Sequence, residues 1–244
     1  MEINELHKQY PGSWSPALDG LSLGVKDNSI TGLLGPNGAG KTTTINIICG
    51  LVRPDGGQAR VFGVDCSAHI QAVRSQIGVV PQQIALFPNL TAWENFLYIG
   101  QLYDINRSYI KDRAGQLLAR LGLEKHADKR VQSFSGGMKR RANIIASLLH
   151  YPQILILDEP TAGVDVQSRA MILDFIQEYK EEGKTVLYTS HLLDEAEKIC
   201  NEVVIIDEGK FIIEGTPHAL VHNTDDCNSL EDVFLHYTGH SVRD

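Results

Sequence analysis

The stretch GPNGAGKTT, Gly35 to Thr43, follows the pattern G-x-x-x-x-G-K-[ST]. Its glycines let backbone N–H groups curl around phosphate oxygens, and a helix that follows it presents its positive end to the same anion. Lys41 is then expected to reach the β and γ phosphates, and Thr42 to ligate magnesium. The placement agrees, because apolar SITGLLG precedes the loop as a strand and KTTTINIICGL follows it as a helix. No N-K-x-D element for guanine is found, so ATP is the expected nucleotide.

Two further patterns bear on the same chemistry. The buried-strand run ILILDE ends in Asp158 and Glu159. At the carboxyl edge of a parallel sheet, Asp158 is expected to hold magnesium through water while Glu159 polarises an attacking water. The segment SFSGGMKRRAN is odder, since Gly136 and Gly137 head a helix whose apolar residues Met138, Ala142, Ile145 and Leu149 recur at helical spacing. Glycine is unfavourable there unless bare backbone donors are wanted, as at an anion site. Lys139, Arg140 and Arg141 read as a solvated helix face first and an interface second.

The elements that must carry these residues follow α/β grammar. LSLGVK (Leu21 to Lys26) and ARVFG (Ala59 to Gly63) alternate as strands of an antiparallel layer. IGVV (Ile77 to Val80), ILILD (Ile154 to Asp158) and TVLYT (Thr185 to Thr189) are continuously apolar, as strands buried on both faces of a mostly parallel central sheet are. From Thr91 to His150 the signal is helical, with a capping box in TAWE and one apolar stripe through Ile110, Ala114, Leu117 and Leu121 ending at Gly122. VVIID, DEGK and FIIEG predict a β-hairpin near Gly215, and SLEDVFLHYTG a short C-terminal helix. The expected boundaries are an ATPase domain over 1–215 with a helical subdomain inserted over about 84–150, and a helical tail over 216–244.

Composition narrows the class. The 244 residues carry a formal charge of -8, which argues against nucleic acid as a partner, and 43% are hydrophobic, enough for a substantial core. Cys49, Cys66, Cys200 and Cys227 are far apart with no C-x-x-C pair, which suits reduced thiols. His218 and His222, like His236 and His240, have i,i+4 spacing without an obvious third ligand and read as surface histidines. There is no basic-then-apolar leader and no apolar run long enough to cross a bilayer, so a membrane role needs a partner.

Together, the phosphate loop, the Asp158-Glu159 strand end and the SGG about twenty residues before LDEPTAGVD closely resemble the nucleotide-binding subunit of ATP-binding cassette (ABC) transporters. The resemblance implies a P-loop ATPase with an antiparallel β layer and an inserted helical subdomain, closing as a dimer around two ATP molecules. By position it assigns Gln82, with Gln83 as the nearby alternative, to magnesium and to sensing of a membrane partner. Asp165 falls in the loop that crosses the dimer interface, and His191 is the switch histidine on the γ-phosphate. Tyr10 is the aromatic on adenine, in competition with Trp14.

The resemblance also completes the ATP set: Gly35, Pro36, Asn37, Gly38, Ala39, Gly40, Lys41, Thr42 and Thr43 from one subunit, and Ser135, Gly136 and Gly137 from its neighbour. Lys41, Glu159 and His191 are the expected catalytic residues, and Thr42, Gln82 and Asp158 the magnesium set. Phe134-Ser-Gly-Gly-Met138 departs from the commoner Leu-Ser-Gly-Gly-Gln, losing the last polar group. SGGMKRR and the tail resemble the ABC-2 type exporter branch that includes drug-resistance systems. Implied partners are a membrane-spanning permease on a separate chain and a second ABC subunit, with the chain cytoplasmic and peripheral on the membrane. The alternatives are a soluble ABC-type ATPase in assembly or translation, or a P-loop kinase, which would leave SGG and DE unexplained.

Overall fold

The structure, a computed structural model, describes residues 1–239. In chain order it forms β1 (Glu2–Lys8), β2 (Leu18–Gly24), β3 (Ile30–Leu34), α1 (Lys41–Ile48), β4 (Gly56–Val61), β5 (Val64–Asp65), α2 (Ile70–Arg74), β6 (Ile77–Val80), α3 (Ala92–Gln101) and α4 (Arg107–Arg120). There follow α5 (Gly136–Ser147), β7 (Ile154–Asp158), α6 (Val166–Glu181), β8 (Thr185–Ser190), α7 (Leu193–Ile199), β9 (Glu202–Asp207), β10 (Lys210–Gly215), α8 (Pro217–Asn223) and α9 (Leu230–Thr238). The chain divides into two compact units, one of residues 1–74 with 184–239 and one of 75–183.

The first unit holds an antiparallel sheet in the order β2-β1-β4-β5 and the strands β10-β9-β3-β8 of a mostly parallel sheet. β3 and β8 are buried along their whole length, which is why both read as unbroken runs without alternation. β3 pairs in parallel with β8 from Ile30↔Val186 to Leu34↔Ser190, and with β9 on its other side. The hairpin of β9 and β10 turns through Glu208 (φ 48°) and Gly209 (φ 76°), the pair of positive φ values that a tight two-residue turn demands. The C-terminal helix α9 buries Leu230, Val233 and Phe234, and the Leu230 N–H donates to Glu197 of α7 (3.1 Å).

The second unit pairs β6 with β7 in parallel, Ile77↔Ile154 through Val80↔Leu157, and packs its helices around α5, which touches α3, α4, α6 and β6. α3 opens with the expected box: Thr91 caps the Glu94 N–H (3.1 Å) and the Glu94 carboxylate accepts from the Thr91 N–H (2.7 Å). On α4, Ile110, Ala114, Leu117 and the capping Leu121 are all fully buried.

Two features differ from the sequence reading. β1 went unread because its alternation breaks: Glu5 adopts φ 49° and the register against β2 shifts between Ile3 and Leu6, a bulge that puts both residues inside. Arg140 and Arg141 are not a solvated face, being only 6% and 9% exposed. Both lie on a helix buried nearly all round; Arg140 gives its two terminal nitrogens to backbone carbonyls, with its Nε left unpaired, and Arg141 donates to the Leu121 carbonyl.

The four cysteines are free thiols, three of them buried. His218 and His222 stack 6.0 Å apart on α8, while His240 lies outside the described residues. Among the described residues no helix is long and apolar enough to cross a membrane.

Candidate functional site

Each unit carries half of the expected site at the carboxyl ends of paired parallel strands. In the first, β3 ends at Leu34 and β8 at Ser190, which are register partners. The phosphate loop and His191 therefore leave the same sheet edge side by side, and the Gly35 N–H donates to the Ser190 carbonyl (3.4 Å). This is the edge where ligands of open α/β sheets bind.

The loop itself is built on backbone. Gly35, Pro36, Ala39 and Gly40 are buried, whereas the tip at Asn37 and Gly38 is exposed. The Ala39 N–H donates to the Pro36 carbonyl (3.2 Å) and the Ala39 carbonyl accepts from Gly209 (3.1 Å), so the base is pinned while the tip faces out. Gly40 sits at φ 105°, and a Cβ there would meet the Ala17 carbonyl at 2.6 Å. α1 starts at Lys41, whose buried ammonium donates to the Gly35 (2.7 Å) and Pro36 (3.0 Å) carbonyls. Thr42 is exposed in the first turn and Thr43 half-buried beside it. A helix start of this kind holds anions through its free N–H groups.

Ala17 ends the loop that holds the two competing aromatics. Tyr10 is 38% exposed with the Lys8 ammonium 5.8 Å from its ring centre, and Trp14 is fully exposed. Lys8 is anchored by Asp55 (2.9 Å), whose carboxyl lies below the usual range because it accepts from the Gln9 N–H and then from Lys8.

In the second unit, β6 and β7 deliver the other half. Leu157 pairs with Val80, so Asp158 and Glu159 emerge beside Pro81 and Gln82. The Gln82 amide donates to the Glu159 carboxylate at 2.9 Å. Both carboxylates belong to buried residues, and Glu159 has a left-handed backbone (φ 47°), a conformation that costs a non-glycine residue about 1–3 kcal/mol. The strand ends one residue earlier, at Asp158. Nothing in ILILDE announces the left-handed residue.

The SGG segment forms a second cluster in the same unit. Ser135 caps α5, its hydroxyl accepting from the Met138 N–H (3.2 Å), and remains exposed. The two glycines then part company. Gly136 is exposed with open space where a Cβ would point, whereas Gly137 is buried and a Cβ there would collide with the Ser168 side chain and meet Asp165 Oδ2 at 2.7 Å. Asp165 caps α6 by accepting from the Ser168 N–H (2.9 Å), which with the Ser168 hydroxyl holds its carboxyl below the usual range. Gly137 is therefore a packing requirement, whereas Gly136 faces open space.

Arg140, expected on a solvated face, and Asn143, which the sequence reading did not single out, both bond to the loop after β6. Arg140 donates to the Pro81 (2.8 Å) and Gln82 (2.7 Å) carbonyls, and Asn143 accepts from the Ala85 N–H (3.2 Å). Arg141 donates to the Leu121 carbonyl (2.7 Å). A signal was present for Arg141, which at i+3 from Met138 and i−4 from Ile145 shares the apolar stripe. Burial pushes the Arg140 pKa down while Asp158 and Glu159 draw it up.

Comparison with known proteins places the chain in a family. The profile described as ABC transporter matches residues 18–162. The linearmycin resistance ATP-binding protein LnrL of Bacillus subtilis is 46% identical over 86% of this chain and 66% of its own length. The Nod factor export ATP-binding protein I of Ralstonia nicotianae is 38% identical over 95% of this chain and 71% of its own. The fold superposes on a dimeric ATP-binding cassette in a post-hydrolysis state bound to ADP and Pi, with a TM-score of 0.80, 27% identity, and coverage of 88% of this chain and 97% of that one. By fold, motif order and these matches, the chain belongs to the ABC transporter family, as one of its ATPase cassettes.

Proposed function

We propose that this chain binds ATP on the loop from Gly35 to Thr43 and hydrolyses it to energise a membrane permease carried on a separate chain. The observation that carries the reading is the Gln82–Glu159 hydrogen bond at the ends of two parallel strands. It holds a strained carboxylate in one orientation, which is what a residue that aligns water for in-line attack needs. Lys41 supplies positive charge to the transferring phosphoryl group, and His191 donates to it from the neighbouring strand end. Tyr10, or Trp14 in its place, stacks on adenine. Ser135 and Gly136 present N–H and O–H donors to the ATP held by a second cassette, with Asp165 at the same interface.

The donors proposed for magnesium suit it. Thr42, Asp158 and Gln82 offer hydroxyl, carboxylate and amide oxygens, the hard ligands that magnesium takes. When bound, the ion neutralises charge on the β and γ phosphates.

Support for a membrane partner comes from the surface after Gln82. Phe87, Tyr98, Leu102 and Tyr103 are all more than 40% exposed, and Phe87 meets Tyr98 edge to face at 5.1 Å. An apolar cluster of this kind marks an interaction site. LnrL is named for resistance and the Nod factor protein for export. We carry export over from them and place the chain on the cytoplasmic side of its permease.

Glu159→Gln tests the hydrolysis. The variant should bind ATP like the parent while phosphate release falls about a thousandfold; parental turnover would remove Glu159 from its role. Gentle detergent extraction tests the coupling, with a polytopic membrane protein expected to co-purify. Isolation of an active ATPase with no such partner would favour a soluble ABC-type ATPase.

A further inference from the structure

α5 carries two clusters at once. Its first turn, Ser135 to Gly137, abuts Asp165 and Ser168. Its second turn grips the loop that follows β6, through Arg140 on the Pro81 and Gln82 carbonyls and Asn143 on the Ala85 N–H. Gln82 is thereby held at both ends, with its carbonyl on Arg140 and its side-chain amide on Glu159.

The grip is costly to build. Arg140 and Asn143 are 6% and 3% exposed, and a guanidinium taken out of water is favourable only if its bonds are well made. Its rigid fork spans two successive carbonyls, which a lysine ammonium cannot reproduce.

We propose that Arg140, with Asn143, is a positioning residue that ties the SGG turn of α5 to the Gln82 loop, so that engagement of SGG by a neighbour's ATP sets the orientation of Gln82 on this chain's own Glu159. The two ATP sites of a closed dimer are then coupled through one helix. This rests on the ATPase reading given above. In the free chain the same tie holds the loop still.

The test has two arms. Hydrogen exchange on the nucleotide-free full chain reads the tie directly: Arg140→Met should raise exchange of the 82–87 amides at least about tenfold, with α4 unaffected. Unchanged exchange overturns the proposal whether or not the chain hydrolyses ATP. In steady-state ATPase assays Arg140→Met should lower kcat about tenfold with KM for ATP within about twofold, and Arg140→Lys should recover part of the loss. If Arg140 acts through Gln82, the double variant Gln82→Ala/Arg140→Met is no slower than Gln82→Ala alone. Multiplicative losses, or parental kcat in folded Arg140→Met, refute it. Should Arg140→Met fail to fold, Asn143→Ala is read in the same assays, with smaller losses in the same direction expected and parental values overturning the proposal. A chain whose loop exchange responds but whose wild type does not hydrolyse ATP fails the ATPase reading instead.

Discussion

The two units build their parts of the expected site from opposite materials. The phosphate loop is contiguous and made of backbone: Gly35 to Thr43 folds on itself, with its base pinned by the Gly209 N–H and its lysine bound to its own carbonyls. The carboxylate half is discontinuous and made of side chains, with Gln82, Arg140 and Glu159 arriving from three elements and meeting through bonds between residues up to 77 positions apart. Backbone sites fail when a side chain is added, and side-chain sites when one is removed. The difference also decides which half a mutation can damage without unfolding the protein.

The comparison breaks first at Lys41, the buried side chain within the phosphate loop. Lys41→Ala should weaken ATP binding about 30- to 150-fold, the loss of one charge-assisted bond of about 2–3 kcal/mol, measured with a fluorescent nucleotide. An affinity within threefold of the parent would mean that the loop's N–H groups alone hold the phosphates. Next comes the pair of glycines. Gly137→Ala should cost about 1–3 kcal/mol of stability in denaturant melts, because its methyl group runs into Ser168 and Asp165. Gly136→Ala should fold within about 0.5 kcal/mol of the parent yet lose turnover at least tenfold. Equal stability of the two variants would contradict the division of labour between them.

What was legible in the sequence follows the same line. The loop could be read because spacing and residue type encode its geometry locally, and β6 and β7 were located to the residue because strands buried on both faces are unbroken apolar runs. The capping box of α3 was legible for the same reason, four residues specifying one turn. β1 was hidden by a bulge that breaks the period of two, a break that only pairing with β2 and β4 makes sensible. Arg140 was misread because residue type alone says that arginine is solvated, while its fate depends on where the carbonyls of Pro81 and Gln82 end up, about sixty positions away. The positive φ of Glu159 has no sequence signature at all.

Thr91 gives the carboxylate half a locally encoded feature to set against its discontinuous core. Thr91→Ala should cost about 1 kcal/mol in the same melts, with turnover unchanged, since the box shapes α3 and touches neither Gln82 nor Glu159. A loss of turnover larger than the loss of stability would show that the start of α3 reaches the site.

The smallest expected effect is a pH dependence at Asp165. Its carboxylate accepts from the Ser168 N–H, then from the Ser168 hydroxyl, with Arg141 adding a favourable charge, and its pKa in the folded chain is lowered. A carboxylate depressed on folding contributes stability that is present above its unfolded pKa of about 4 and is lost as pH falls through the lower folded value. Because Asp165 is fully exposed the contribution is small and sensitive to salt. Asparagine caps a helix as well as aspartate but does not titrate, so Asp165→Asn should match the parent near neutral pH and decline less steeply below about pH 4. Superimposable acid profiles would assign the acid sensitivity to other carboxylates and leave Asp165 to the interface alone.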